Sequence, residues 1–117
     1  MKSVLIVEDE PAVRGLLSLM LEGEHYKVRT AEDGQEALDQ VEAARPDAIL
    51  LDLNLPRVSG WQVIDSLDRN HDAESVPIIA LTAGTKKVTV GQHGIKAFLS
   101  KPFDLDTLLV VLDEVLH

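Results

Sequence analysis

Residues 48–51 are four consecutive apolar side chains, Ala48-Ile49-Leu50-Leu51, and they run straight into Asp52. A run that short, without polar alternation and bounded by breakers, reads as a strand buried on both faces. Such strands belong to parallel sheets covered by helices on either side. A buried strand that ends on a carboxylate needs a cleft, a metal or an opposite charge to receive it. In open parallel sheets those clefts lie beyond the carboxyl ends of the strands. Asp52 therefore stands where a ligand would bind, or else it is a turn or helix-capping aspartate.

The rest of the chain repeats this pattern. Ser3-Val4-Leu5-Ile6-Val7 predicts a first strand that ends in Glu8-Asp9-Glu10. Pro11, favoured at a first helical position, opens a helix over 11–22 with Val13, Leu16, Leu17, Met20 and Leu21 at helical spacing, and Gly23 closes it. Residues 27–31 predict a short edge strand, and 35–44 a helix over Ala37, Leu38 and Val41. Trp61, Val63, Ile64 and Leu67 outline a third helix. Two more strands follow, 77–81 leading into Thr82, and 97–99 leading into Ser100-Lys101-Pro102. Leu105, Leu108, Leu109, Leu112 and Leu116 mark a final helix. Between 84 and 94, Thr85, Val88, Thr89 and Val90 with Gly84, Gly91 and Gly94 disfavour helix, so a fourth helix there is expected to be short, irregular or absent. Strict alternation of strands and helices predicts an α/β, doubly wound parallel sheet with right-handed crossovers. The length suits one domain over 1–117, and no output domain is expected within it.

Glu8, Asp9, Asp52, Thr82 and Lys101 all fall at carboxyl ends of predicted strands. Each alone has a bland account: the acidic triplet as complement to a helix dipole, Thr82 as a strand end, Lys101 as a solvated charge. Together on one sheet edge they predict one site. Carboxylates ~5 Å apart at an effective dielectric of ~20 repel by about 3 kcal/mol per pair, so a cation must offset them. The chain has no cysteine, and His25, His71, His93 and His117 lack metal-ligand spacing. Hard oxygen ligands then point to Mg2+, with Mn2+ possible. A carboxylate beside such an ion is an established phosphoryl acceptor. Lys101 and the Thr82 hydroxyl would supply charge and a donor to the phosphoryl oxygens. A net charge of -9, from 20 acidic and 11 basic side chains, opposes binding to nucleic acid or anionic membrane. No apolar run nears the ~20 residues of a membrane span. With no cysteine and no signal-peptide layout, a cytoplasmic location is expected.

Four segments together resemble the receiver (CheY-like) domain of two-component response regulators, over essentially the whole chain: Val7-Glu8-Asp9-Glu10-Pro11; Leu51-Asp52-Leu53-Asn54-Leu55-Pro56 with Gly60; Ala80-Leu81-Thr82-Ala83; and Phe98-Leu99-Ser100-Lys101-Pro102-Phe103. The resemblance implies a flavodoxin-like fold with five strands in the order 2-1-3-4-5. It implies that Asp52 is the phosphoacceptor, taking its phosphoryl group from a sensor histidine kinase or a histidine phosphotransfer protein, and that the domain signals by conformational change. Asp9 would be the main Mg2+ carboxylate, with Asp52, Glu8 (often through water) and the backbone carbonyl of Asn54 completing the ligands. Lys101 would pair with phosphoryl oxygens, Thr82 and Phe98 would be switch residues, and the peptide before Pro102 would be cis. No enzymatic activity is implied beyond the domain's own phosphorylation and dephosphorylation. The stretch between Thr82 and Lys101 is shorter than is usual in this family, and His93-Gly94-Ile95-Lys96 replaces the usual turn before the last strand. An altered readout face is therefore expected. Ala12, Gly15 and Leu19, with the Pro56 and Pro102 loops, form either a docking face for a phosphohistidine domain or a merely solvent-facing flank.

Three other readings share the fold. A flavin or nucleotide binder needs a Gly-, Ser- or Thr-rich loop after the first strand, where Glu8-Asp9-Glu10-Pro11 would repel phosphate without a metal. An aspartate-nucleophile phosphatase wants a second acid two residues past the nucleophile, where Asn54 stands. A receiver-fold binding module that signals without phosphorylation draws support from the short 84–94 segment.

Overall fold

Every strand of the sheet pairs with its neighbours in parallel, in the order β2-β1-β3-β4-β5. The strands are β1 (Ser3–Val7), β2 (Lys27–Ala31), β3 (Ala48–Asp52), β4 (Ile78–Ala83) and β5 (Ile95–Lys101). The helices are α1 (Pro11–Gly23), α2 (Gly34–Ala43), α3 (Gly60–Arg69) and α4 (Leu105–Leu116). This computed structural model describes residues 1–55, 60–69, 76–83 and 95–116. The expected short or irregular fourth helix over 84–94 lies outside the described residues, as do Pro56, His71, His93 and His117. The fold class and strand order match the expectation from sequence.

Side-chain alternation along the strands divides the core into two layers. Leu5, Val7, Ile49, Leu51, Ile78 and Ala80 face one side, where Ala37 of α2 and Val63 and Ile64 of α3 cover them. Val4, Ile6, Ala48, Leu50, Ile79 and Leu81 face the other, under Leu17 and Leu21 of α1 and Leu108 and Leu112 of α4. All five residues of β3 are buried, because two strands flank it on each side of the sheet. That is why its sequence lacks polar alternation.

The helix ends show how the chain reverses. Pro11 begins α1 as expected. Gly23, expected to close that helix, is instead its last helical residue. The left-handed position falls on His25, with φ of 69°. The His25 N–H reaches the Glu22 carbonyl and the Tyr26 N–H the Leu21 carbonyl, each at 3.1 Å. This double closure is a Schellman turn, accompanied by apolar contact across it. Leu21 and Tyr26 belong to the same core layer, and that packing sets the reversal two residues beyond the glycine. Asp33 caps α2, its Oδ1 accepting from the Glu36 N–H at 2.8 Å. Asp104 does the same for α4 through the Thr107 N–H at 2.7 Å. Arg29 of β2 ties down the other end of α2 by donating to the carbonyls of Gln40 and Ala44.

Gly15 sits in the exposed part of α1, where an added Cβ would meet nothing within 4 Å. Gly15→Ala is therefore expected to stabilise the chain by about 0.5–1 kcal/mol through helix entropy. A raised urea midpoint at unchanged slope is the readout; an unchanged midpoint would mean the residue is not in regular helix.

Candidate functional site

The parallel register brings the ends of four strands to one rim. Val7 pairs with Leu51, Asp52 with Leu81, Thr82 with Ser100 and Ala83 with Lys101. The ladder runs slightly past the strands, since the Glu8 N–H reaches the Ala31 carbonyl and the Leu53 N–H the Leu81 carbonyl. Glu8 is thereby tied to β2, and the backbone just past Asp52 to β4. Among the described residues the buried polar or charged side chains are Glu8, Asp52 and Thr82, and all three lie on this rim.

Carboxylate oxygens of Glu8, Asp9 and Asp52 lie within 4.8 Å of one another. Asp9 is the exposed member of the three. Lys101, reaching in from β5, places Nζ 2.9 Å from Glu8 Oε2 and 3.1 Å from Asp52 Oδ2. The other Asp52 oxygen, Oδ1, accepts the Asn54 N–H at 2.9 Å. Asp52 thus does form the turn contact that a bland reading allows, but unlike the capping residues Asp33 and Asp104 it is buried, and Lys101 pairs with its other oxygen. Burial pushes the Glu8 carboxyl above its ordinary value, helped by the Asp52 charge and opposed by Lys101. Burial works against the Lys101 ammonium, yet its bonds to Glu8 and Asp52 outweigh that and hold its pKa above the ordinary 10.5. Thr82 Oγ1 is buried and makes no hydrogen bond to any of the described residues.

The predicted residues Glu8, Asp9, Asp52, Asn54, Thr82 and Lys101 all fall on this rim. Phe98 lies on β5 opposite Ala80 and is 38% exposed, and the peptide between Lys101 and Pro102 is cis. Behind the turn, Gly60 packs against the backbone: a Cβ there would lie 2.5 Å from Leu53 Cα and 2.8 Å from the Asp52 carbonyl oxygen. Sequence reasoning overlooked Arg14, whose Nη1 donates to the Glu8 carbonyl at 2.9 Å and the Asp9 carbonyl at 3.4 Å. One signal was available, a cation in the first turns of a helix, where the dipole disfavours it. Glu10 takes the N-cap position of α1 without a side-chain capping bond. Ala12, Gly15 and Leu19 are exposed on α1, beside an apolar groove of about 440 Å³ between α1 and the start of α4 that Leu16, Met20, Phe103 and Leu105 help to line. No helix among the described residues is long and apolar enough to cross a membrane.

The model of the response regulator receiver domain matches residues 4–113. The nitrogen assimilation regulatory protein NtrX of Azorhizobium caulinodans is 36% identical over 119 residues, which cover 97% of this chain and 26% of that protein. The chain thus spans about a quarter of that regulator's length. Protein PilH of Pseudomonas aeruginosa is 32% identical over 119 residues, covering 99% of this chain and 98% of PilH. Among solved structures, the chemotaxis response regulator CheY4 of Vibrio cholerae superposes with a TM-score of 0.87 at 33% identity, covering 98% of each chain.

Two stability experiments probe this geometry. Gly60→Ala is expected to destabilise the chain by about 1–3 kcal/mol through overpacking, because the nearest atoms are backbone; an unchanged urea midpoint would mean that α3 slides freely. The raised pKa of Lys101 means that its bonds stabilise the fold fully below pH 10.5 and are lost as pH climbs through the higher folded value. The urea midpoint should therefore fall above pH 10.5, and fall less steeply in Lys101→Met. Equal alkaline losses in both proteins would show that the lysine pairs contribute nothing.

Proposed function

The chain belongs to the response regulator receiver domain family, the signalling modules of two-component systems, and from that premise we propose that Asp52 accepts a phosphoryl group. The donor would be the phosphohistidine of a sensor histidine kinase or a histidine phosphotransfer protein. The observation that carries this reading is the Thr82 hydroxyl, buried and without a partner among the described residues, on the rim where Lys101 spans Glu8 and Asp52. A buried hydroxyl without a partner is uncompensated until an acceptor arrives. A phosphoryl oxygen on Asp52 is an acceptor of the right kind.

The donor set suits Mg2+, being all oxygen, with three carboxylates close enough to share one ion. Asp9 and Asp52 would hold it directly, Glu8 through water, and Asn54 through its backbone carbonyl. When bound, Mg2+ supplies positive charge against the phosphoryl oxygens and relieves carboxylate repulsion. One Asp52 oxygen attacks phosphorus as the P–N bond breaks, its electron pair returning to the imidazole nitrogen, which takes up a proton. Lys101 turns its ammonium from the two carboxylates to the new phosphoryl oxygens, and Thr82 donates its hydroxyl to one of them. The shift of Thr82, together with repacking of the Phe98 ring, would carry the signal outward. The chemistry is confined to the chain's own carboxylate, with no outside substrate turned over. The exposed flank of α1 around Ala12, Gly15 and Leu19, next to the Pro102 loop, is where the phosphohistidine domain would dock.

Incubation with Mg2+ and acetyl phosphate, followed by intact-mass measurement, should show one added phosphoryl group. Asp52→Ala should show none, and Lys101→Ala little. Absence of any mass gain in the folded wild-type protein at millimolar donor rejects the proposal.

A further inference from the structure

Lys101 fixes two of the three clustered carboxylates, Glu8 and Asp52, but not Asp9. The direction of Asp9 depends instead on the backbone of the short segment between β1 and α1. Arg14 is the side chain that grips this segment, with Nη1 at 2.9 Å from the Glu8 carbonyl and 3.4 Å from the Asp9 carbonyl. Its own N–H donates to the Glu10 carbonyl at 2.9 Å. One residue therefore ties three consecutive carbonyls of the acidic segment to the first turns of α1.

The placement is unfavourable for a helix taken alone, since the N-terminal end carries partial positive charge that repels a cation. The guanidinium bonds the carbonyls and not the carboxylates, so the Glu8 and Asp9 carboxylate oxygens stay turned toward the cluster with Asp52. We propose that Arg14 is a positioning residue for the divalent-cation site, holding the Glu8–Asp9 backbone so that the Asp9 carboxylate meets that of Asp52. This inference rests on the Mg2+ reading of the cluster. Groups that orient metal ligands from behind typically change metal affinity 10–100-fold when removed. A planar guanidinium serves two carbonyls at once, whereas an ammonium is a compact point donor on a flexible stem.

Isothermal titration of Mg2+ alone into the folded proteins tests this. Arg14→Ala should bind Mg2+ about tenfold more weakly than wild type, and Arg14→Lys should recover only part of the loss. A merely structural role would lower the urea midpoint without moving the Mg2+ affinity of the folded protein. Wild-type affinity in Arg14→Ala overturns the proposal, and so does full recovery in Arg14→Lys, which would reduce the effect to charge. If Arg14→Ala does not fold, Arg14→Gln and Arg14→Lys carry the comparison, with affinities equal to wild type in both overturning it. Failure of the wild-type chain to bind Mg2+ at all would remove the metal site itself, and this inference with it; loss of the Arg14 effect alone would leave the metal site standing.

Discussion

Lys101 stands between Glu8 and Asp52, and the rim of the sheet depends on that ammonium. Two buried carboxylates from adjacent strands repel each other, and their desolvation is tolerated only with an opposite charge at hydrogen-bond distance. The fold delivers that charge from far away in sequence. Strands lie about 4.8 Å apart, and β4 separates β5 from β3, so the lysine at the end of β5 must reach across a neighbouring strand. A long, flexible side chain with three donors meets that need. The parallel register then puts Thr82, from the intervening strand, at the same rim, its hydroxyl without a partner among the described residues.

Most of this was legible in the sequence because parallel sheets leave strong marks. Four apolar runs, one weaker edge strand and four periodic helices are recognisable, and the rule that ligands bind beyond the carboxyl ends of strands gathers Glu8, Asp9, Asp52, Thr82 and Lys101 on one rim. What escaped the reading depends on contacts that periodicity does not encode. Gly23 marks the closing turn of α1 in the sequence, whereas the Tyr26 N–H bond to the Leu21 carbonyl and packing of both residues in one core layer put the left-handed residue at His25. The apolar run of the last strand covers only 97–99, but the strand extends from Ile95 to Lys101, because Ser100 and Lys101 pair with Thr82 and Ala83, and an irregularity at Lys96 lets Ile95 pair with Ile78. Arg14 was passed over because its partners are backbone carbonyls, which look alike in any sequence.

The site is asymmetric in a way that bears on the proposed chemistry. Glu8 and Asp52 are buried, already paired and aligned by the ladder, while Asp9 is exposed and held through its backbone. An incoming divalent ion would find two fixed oxygens and one that the α1 segment presents. Lys101 would then exchange partners once a phosphoryl group occupied Asp52, so its position would report the state of the site. The proposed phosphate chemistry and the stability of the rim would thus be linked through one side chain.

A crystal structure of the chain with Mg2+ and beryllofluoride, a phosphoryl mimic, tests this linkage most directly. Expected is beryllofluoride on Asp52, the ion on Asp9 and Asp52, and Lys101 Nζ moved from the carboxylates to a fluorine, with Thr82 Oγ1 bonded to another. Beryllofluoride bound elsewhere, or Lys101 still locked between Glu8 and Asp52 in the loaded site, would contradict it.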